Sequence, residues 1–510
     1  MRRTPVFIAV LAVVAGALAA GQAATASPGR DKDGLEVYVG ELNAQQVQKV
    51  VDVGVDRADL ATGKGSGGKV SVEVVMSKRQ AAKLRSDGVE LKVKQVKGHD
   101  ASAEAARLAA AGPTVFRPYS GTGGLQAELA QTAAANPGLA KLVTIGTTVN
   151  GKPIVAVKVT KDARTTTDGS RPSVLYAGAQ HAREWITPEM VRRLMHYMID
   201  GYGKSAEITQ LVNTTELWFL PVANPDGYDY TFTGDRLWRK NLRDNNNDGA
   251  IAPGDGVDLN RNLATKWGYD NEGSSPDPSS ETYRGPGPNS EPETRALDGL
   301  FSRVHFTELI NYHSAAELLL YGVGWQVSTP SPDDVISEAM AGDDAHPAVP
   351  GYDPDISAEL YTTNGETDGH VSNKYGTMAF TPEMSTCQTA SASNPSDQWL
   401  PEDCVSVFNF PDDEGLIQAE FAKNIPFALS VAKSAKDPDD PVSVVGKKAA
   451  DLVADPFTVS YGTTQPVAVI AKRALRNLRV NYRINGGDPI DDKVSEWKGG
   501  ERYGNTDNQI

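Results

Sequence analysis

His181 opens the run His181-Ala182-Arg183-Glu184, directly behind the strand-like Val174-Leu175-Tyr176-Ala177-Gly178. A His and a Glu three apart, where a strand turns into the helix expected over Thr187–Tyr202, can converge on one metal ion. In open α/β sheets, sites form at this carboxyl edge of the strands. The third ligand should come from another strand end. His313 fits, because it follows the strand-like Phe306–Tyr312. His305 enters that strand from the opposite end, and His196 lies inside a helix among apolar neighbours. Two His and one carboxylate leave an open zinc position for water. Bound water reaches a pKa near about 7 and can act as a nucleophile at neutral pH. By itself His-x-x-Glu is a weak pattern, shared with ordinary surface pairs.

Positioning these residues takes a sheet. From about Phe116 to Lys436 the pattern is repeated βα, with strands expected at Ala140–Ile145, Ile154–Val159, Ser173–Ala177, Glu216–Leu220, Phe306–Tyr312 and Met378–Thr381. Several are continuous apolar runs, as strands buried on both faces should be. Helices are expected at Gly124–Asn136, Thr187–Tyr202, Ser205–Asn213, Glu291–Ser302, Pro332–Ala341 and Leu416–Lys433. The fold class is α/β, a sheet flanked by helices. A long Gly/Asn/Asp/Pro-rich stretch separates Asp226 from Pro288. Loops longer than about 15 residues are usually functional or disordered.

Before this region, Gly34 to about Val96 alternates short strands and helices and reads as a small α/β domain without clustered catalytic residue types. The Ala-rich helix Ala101–Ala111 ends at Gly112-Pro113, a domain boundary. After Ala435, Lys436-Asp437-Pro438-Asp439-Asp440-Pro441 reads as a linker. The remainder has strand-like pieces at Phe457–Tyr461, Val467–Ile470 and Leu478–Tyr482, and stops at Ile510 without a closing strand pattern. It reads as a truncated or docked β-rich domain.

The chain has 510 residues, 50 Lys+Arg against 65 Asp+Glu, and a net charge of -15. That balance argues against nucleic-acid binding, whose footprint is a basic patch. Arg2 and Arg3 precede an apolar run from Val6 to Ala20 and the small-x-small sequence Ala24-Thr25-Ala26. This is the pattern of a secretory signal peptide over residues 1–26, and the run is shorter than the roughly 20 residues of a membrane span. A secreted chain without a stable membrane anchor is expected. The two cysteines exclude a thiolate-built zinc site. In an oxidising compartment Cys387 and Cys404 should pair.

Four further motifs follow His181-Ala182-Arg183-Glu184 in order. They are Leu237-Trp238-Arg239-Lys240, Val257-Asp258-Leu259-Asn260-Arg261-Asn262, Asn311-Tyr312-His313-Ser314, and Tyr361 followed by Phe380-Thr381-Pro382-Glu383. Alone, these read as a solvated basic run, a turn, a strand end and a rim aromatic with a carboxylate. Together, over about Phe116 to Lys436, the chain resembles the zinc carboxypeptidase family, which includes pancreatic carboxypeptidases A and B and bacterial carboxypeptidase T. The resemblance implies a mixed, mostly eight-stranded sheet flanked by helices and a Zn2+ site made by His181, Glu184 and His313. It implies Glu383 as general base and Arg239 as oxyanion stabiliser. Arg183, Asn260, Arg261, Ser314 and Tyr361 would contact a peptide substrate, with Asn260 and Arg261 gripping its terminal carboxylate. The planar guanidinium fork suits a carboxylate.

The linker signals set domain limits at 27–112, 113–436 and 437–510, the last a C-terminal β-rich domain, and the resemblance implies that the first is propeptide-like and the second catalytic. Counting without gaps from Tyr361 brings Asp368 to the base of the specificity pocket, with Glu366 nearby and Gly324 as a small pocket residue. This leans toward C-terminal Lys or Arg. Gly369-His370 departs from the family's usual Asp-Trp, and a one-residue shift would make Asp368 a structural Asp instead. Asp244, Asn246, Asp248 and Asp255 carry calcium-loop spacing, so Ca2+ is a candidate second metal. No helices flank that loop, and its twelfth position is Asp rather than Glu. A monomer acting on peptides or proteins is expected.

Overall fold

The computed structural model describes residues 33–57, 59–325, 333–393, 399–454, 469–471, 479–483 and 486–493. The leader expected at 1–26 and the strand candidate Phe457–Tyr461 lie outside the described residues.

The strand Ser173–Ala177 is buried throughout, and its side chains divide between two cores. Val174 and Tyr176 join the core lined by the helix Ile186–Gly201 and by Leu416, Ile417 and Phe427 of the helix Glu414–Ser434. Leu175 and Ala177 join the opposite core, with Leu297, Leu300 and Phe301 of the helix Pro292–Val304. This alternation turns a continuous apolar run into a central strand covered on both faces.

The sheet has nine strands. Its hydrogen-bonded path runs Asp353–Ile356, Leu318–Tyr321, Met378–Met384, Glu308–Asn311, Ser173–Ala177, Glu216–Leu220, Pro153–Val159, Ala140–Thr147, with His313–Ser314 pairing beside Met378–Met384. The four strands from Met378–Met384 to Glu216–Leu220 are mutually parallel. Antiparallel neighbours flank them on both sides. The mixed sheet between helices agrees with the expected class.

Two strands, Leu318–Tyr321 and Asp353–Ile356, were not anticipated. The second is an edge strand, where Pro354 is tolerated because no ladder donor is needed. The helix Pro225–Thr233 lies inside the stretch read as loop. Its Pro occupies the first turn, where the missing N–H has no partner to lose, and the Asn224 side chain caps Gly227 N at 3.1 Å.

The N-terminal domain is a four-stranded antiparallel sheet, ordered Ala61–Lys64, Val70–Ser77, Leu35–Leu42, Lys92–Val93. Asn43 and Ser77 start its helices Ala44–Asp52 and Lys78–Ser86 with capping boxes. Tyr38, Val72, Val74 and Met76 face the domain's own core. Leu35, Val37 and Val75 face Ala182, Leu237 and Phe408 of the larger domain. Ala182 belongs to the His181–Glu184 run, so the small domain's sheet packs directly on that motif.

Asp412 gathers the entry to the larger domain. Its carboxylate accepts the main-chain amides of Thr114, Val115 at 2.8 Å and Phe116 at 3.2 Å, and the Thr114 hydroxyl at 2.9 Å. The residues just before, Ala111 and Gly112, are exposed. Cys387 and Cys404 form the expected disulfide, fully buried. No helix among the described residues is long and apolar enough to cross a membrane.

Candidate metal and substrate site

The strand Ser173–Ala177 ends at Gly178, and the turn through Gln180 delivers His181. Ala179 N is bonded to Thr187 Oγ1 at 2.7 Å, and that hydroxyl donates to Glu184 O at 3.0 Å. These bonds lock His181 and Glu184 on one side of the strand–helix junction. His313 comes from the neighbouring parallel strands, paired in register with Glu383. The nitrogen and oxygen donors of His181, Glu184 and His313 all lie within 4.8 Å of one another, and all three residues are buried. His181 Nδ1 is 2.8 Å from Glu184 Oε1, and His313 Nδ1 is 3.1 Å from His181 Nδ1.

Burial and the Arg239 guanidinium hold both imidazoles below their ordinary range, with His313 pushed down to about 3. Both rings are thus neutral and able to donate a lone pair. Two neutral imidazoles and one carboxylate, converging in a buried pocket, form a donor set suited to Zn2+. Asp258 completes the surroundings. Its Oδ1 is 3.2 Å from His181 Nε2, and its Oδ2 accepts Arg239 Nη2 at 3.0 Å. A carboxylate behind a ligating His fixes the ring's orientation and tautomer. Asp258 lay within a quoted motif but received no role there; the residue type two before Asn260 was the available signal.

Glu383 faces the same cavity of about 60 Å³ as His181, Glu184, Arg239, Asn260, Arg261 and Tyr361. Loss of solvation and the carboxylates of Glu184 and Asp59 push its own carboxyl well above the usual range. Arg261 Nη2 lies 3.1 Å from the Tyr361 hydroxyl, and Asn260 Oδ1 is bonded to Thr367 N at 2.9 Å. Ser314 is buried, with its amide on Glu184 Oε2 at 3.2 Å. All these residues come together. Arg183 is buried outside the cavity lining, bonded to Leu237 O at 3.1 Å and Glu281 at 3.3 Å.

Glu366 and Asp368 line the same cavity, together with Thr363, Thr381 and Leu320. Asp368 Oδ2 accepts the Thr381 hydroxyl at 2.6 Å, while Oδ1 has no hydrogen-bond partner among the described residues. Burial, reinforced by Glu366, pushes the Asp368 carboxyl up to about 7. Glu366 accepts Gly324 N at 3.1 Å and Gly369 N at 2.7 Å. A Cβ on Gly324 would fall 2.4 Å from Thr363 Oγ1, so this wall needs Gly. His370 takes a structural place: Nε2 meets Asp298 at 2.8 Å and Nδ1 accepts Thr265 N at 3.2 Å. Those bonds anchor the helix Thr367–Tyr375, which carries Asp368.

The N-terminal domain supplies two residues that the sequence reading missed. Asp56 Oδ2 lies 2.7 Å from Nη2 of both Arg239 and Arg261. Asp59 Oδ2 lies 2.8 Å from Arg239 Nη1 and also meets Arg183. Asp56 and Asp59 are buried, as are the three guanidinium groups. The loop is seated by Gly54, whose carbonyl accepts Glu281 N at 3.0 Å and Ser280 Oγ at 2.8 Å. Gly54 has φ +98 and packs against Ser280, so both the turn and the close approach require Gly. Only the three-dimensional docking gives two Asp residues in a short turn this role.

The candidate calcium loop is closed by its own bonds. Asp244 accepts Gly249 N at 2.8 Å, Asn246 accepts Asp248 N at 2.8 Å, and Asp255 accepts Asn245 N at 2.9 Å. Among the described residues, the donor group that converges on one point is His181, Glu184 and His313. Calcium receives no support.

The fold and the clustered donors agree with what known proteins show. The zinc carboxypeptidase family profile matches residues 125–407. The chain is 35% identical over 254 residues to a metallocarboxypeptidase A-like protein of Trichophyton verrucosum, covering 48% of this chain and 57% of that one. It is 32% identical over 240 residues to mast cell carboxypeptidase A of Rattus norvegicus, covering 46% of this chain and 55% of that one. The crystal structure of carboxypeptidase A from Helicoverpa armigera superposes with a TM-score of 0.57 at 24% identity, covering 80% of this chain and 100% of that one, which speaks for the fold. The chain spans about half the length of the curated relatives it matches. The chain belongs to the zinc carboxypeptidase family. That membership implies Zn2+ at the His181, Glu184 and His313 site.

Proposed function

We propose that this chain is the precursor of a secreted, monomeric zinc metallocarboxypeptidase that removes single residues from peptide C-termini. The observation that carries the reading is the shared cavity. A buried His-Glu-His donor set, a carboxylate with a raised pKa and the guanidinium groups of Arg239 and Arg261 meet around one small space.

His181, Glu184 and His313 hold the zinc ion. When bound, zinc would supply Lewis acidity at the scissile carbonyl. Glu383 would take a proton from the attacking water and pass it to the leaving amine; its raised affinity for protons suits this exchange. Arg239 lies close enough to the ligands to stabilise the oxyanion that develops at the scissile carbonyl. Arg261 and Asn260 grip the substrate's terminal carboxylate, Arg183 and Ser314 contact the preceding residues, and Tyr361 closes over the substrate. The carboxylate grip makes the enzyme an exopeptidase. Glu366 and Asp368 in the cavity lining favour a C-terminal Lys or Arg.

The segment 27–112 acts as an inhibitory propeptide ahead of a catalytic domain over 113–436. Asp56 and Asp59 support this, because they occupy the guanidinium groups that a substrate carboxylate and an oxyanion would use. Residues 437–510 form an accessory domain. The leader of residues 1–26 directs secretion.

Mass spectrometry of a peptide panel tests the reading. Peptides with free C-termini should lose single residues, amidated peptides should resist, and a zinc chelator should stop the reaction. Equal shortening of amidated peptides would overturn the carboxylate grip.

A further inference from the structure

The geometry points to Gln180 as a positioning residue that holds the metal ligand His313 and the carboxylate-gripping Asn260 through one buried chain of hydrogen bonds. This rests on the roles given above to His313 and Asn260. Gln180 sits between the strand end and His181, a place where side-chain polarity serves no backbone purpose. It is 2% exposed, as are Thr367 and Asn311, and His313 is 1% exposed.

On one side, Asn311 Nδ2 as placed lies 3.1 Å from Gln180 Oε1 and 3.0 Å from His313 Nε2, so one end of the Asn311 amide meets both neighbours. A His that offers Nδ1 to a metal carries its proton on Nε2, and that proton needs an acceptor. Asn311 is the group in reach. Its amide can present either oxygen or NH2 to the ring, and its other partner decides which. Gln180 is that partner. Gln180 can present either end as well, because Thr367 Oγ1 lies 2.9 Å from its Nε2 and 3.1 Å from its Oε1. A hydroxyl donates and accepts, so it serves both orientations.

On the other side, Thr367 fixes Asn260. Asn260 Oδ1 accepts Thr367 N at 2.9 Å and Thr367 Oγ1 at 2.8 Å. With its oxygen committed, Asn260 has its NH2 group as the donor for a carboxylate. The chain His313, Asn311, Gln180, Thr367, Asn260 therefore joins the metal site to the substrate grip. Buried amides in such a chain orient one another, and removing the middle member releases both ends.

Gln180→Met keeps the length and removes both polar ends. Zinc affinity is read by chelator competition on the full-length chain, and KM with an N-blocked dipeptide ending in Lys, after limited trypsin treatment where the intact chain is inactive. Partners behind metal ligands typically change metal affinity 10–100-fold. Gln180→Met should weaken zinc at least tenfold and raise KM at least fivefold. Wild-type zinc affinity or wild-type KM in that variant overturns the proposal. Thr367→Val and Thr367→Ser keep it falsifiable should Gln180→Met not fold. Valine should raise KM without changing zinc affinity, and serine should restore KM; equal KM values for the two overturn the proposal. His313→Ala and Asn260→Ala test the underlying roles separately. Unchanged zinc affinity in the first, or unchanged discrimination against amidated peptides in the second, would fault those roles rather than the chain that joins them.

Discussion

Asp56 reaches from the N-terminal domain to Arg261 of the larger domain, with Oδ2 2.7 Å from Nη2. The same oxygen is 2.7 Å from Arg239 Nη2, so one carboxylate holds the two guanidinium groups assigned to the substrate. Removing one partner of a buried pair costs about 3–5 kcal/mol. The double variant Asp56→Asn, Asp59→Asn should loosen this hold. The intact variant chain should cleave an N-blocked dipeptide at least tenfold faster than the intact wild type. Equal initial rates before proteolysis, with full activity in both afterwards, would remove the inhibitory role.

Glu383→Gln should lower kcat by roughly 10²–10⁴-fold, the usual range for a lost acid–base group. Zinc content measured by atomic absorption should stay at the wild-type level, since Glu383 is not in the donor set. Full activity in the variant would end the general-base assignment.

The Asp368 carboxyl, raised to about 7, gives specificity a pH signature. Above that pH it is ionised and attracts a C-terminal Lys; below it the partner is neutral. The ratio of kcat/KM for Lys-ending over Phe-ending peptides should rise between pH 6 and pH 8, and a flat ratio removes Asp368 from the pocket. The same shift has a stability side. An unfolded Asp titrates near about 3.9, so the folded state holds a proton that the unfolded state gives up. Native stability therefore falls as pH rises from about 4 to 7. Asp368→Asn abolishes that fall, so its gain in Tm should be larger at pH 8 than at pH 5.

Asp298 accepts His370 Nε2 at 2.8 Å, Lys374 Nζ at 2.9 Å and the Tyr375 hydroxyl at 2.6 Å. Asp298→Ala strands the fully buried His370 ring. A buried donor without a partner costs about 1–3 kcal/mol. Chemical denaturation should show a loss of that size, and less than about 0.5 kcal/mol would mean the cluster is incidental.

His181, Glu184 and His313 could be nominated from the sequence because each lies at the end of an apolar strand-like run, whereas Glu383 was named only through the family resemblance. The parallel register then brings His313 opposite Glu383. Leu318–Tyr321 and Asp353–Ile356 were not legible, since four-residue strands carry too little pattern to distinguish them from loop. The helix Pro225–Thr233 was hidden by its own start signal, Asn-Pro, and by Gly227. Asp56 and Asp59 escaped because their role is created by docking between domains. Gln180 and Thr367 escaped because polar residues beside motif positions look like ordinary turn residues until their burial is known.

The clasp of Asp412 on Thr114, Val115 and Phe116 gives the inter-domain seam a direction. A chain cut at the exposed Ala111-Gly112 step would release the small domain's side of the seam. The other side would stay pinned, with Thr114, Val115 and Phe116 still bonded to the Asp412 carboxylate. Fraying would stop there, and the edge of the large domain would keep its shape through the separation.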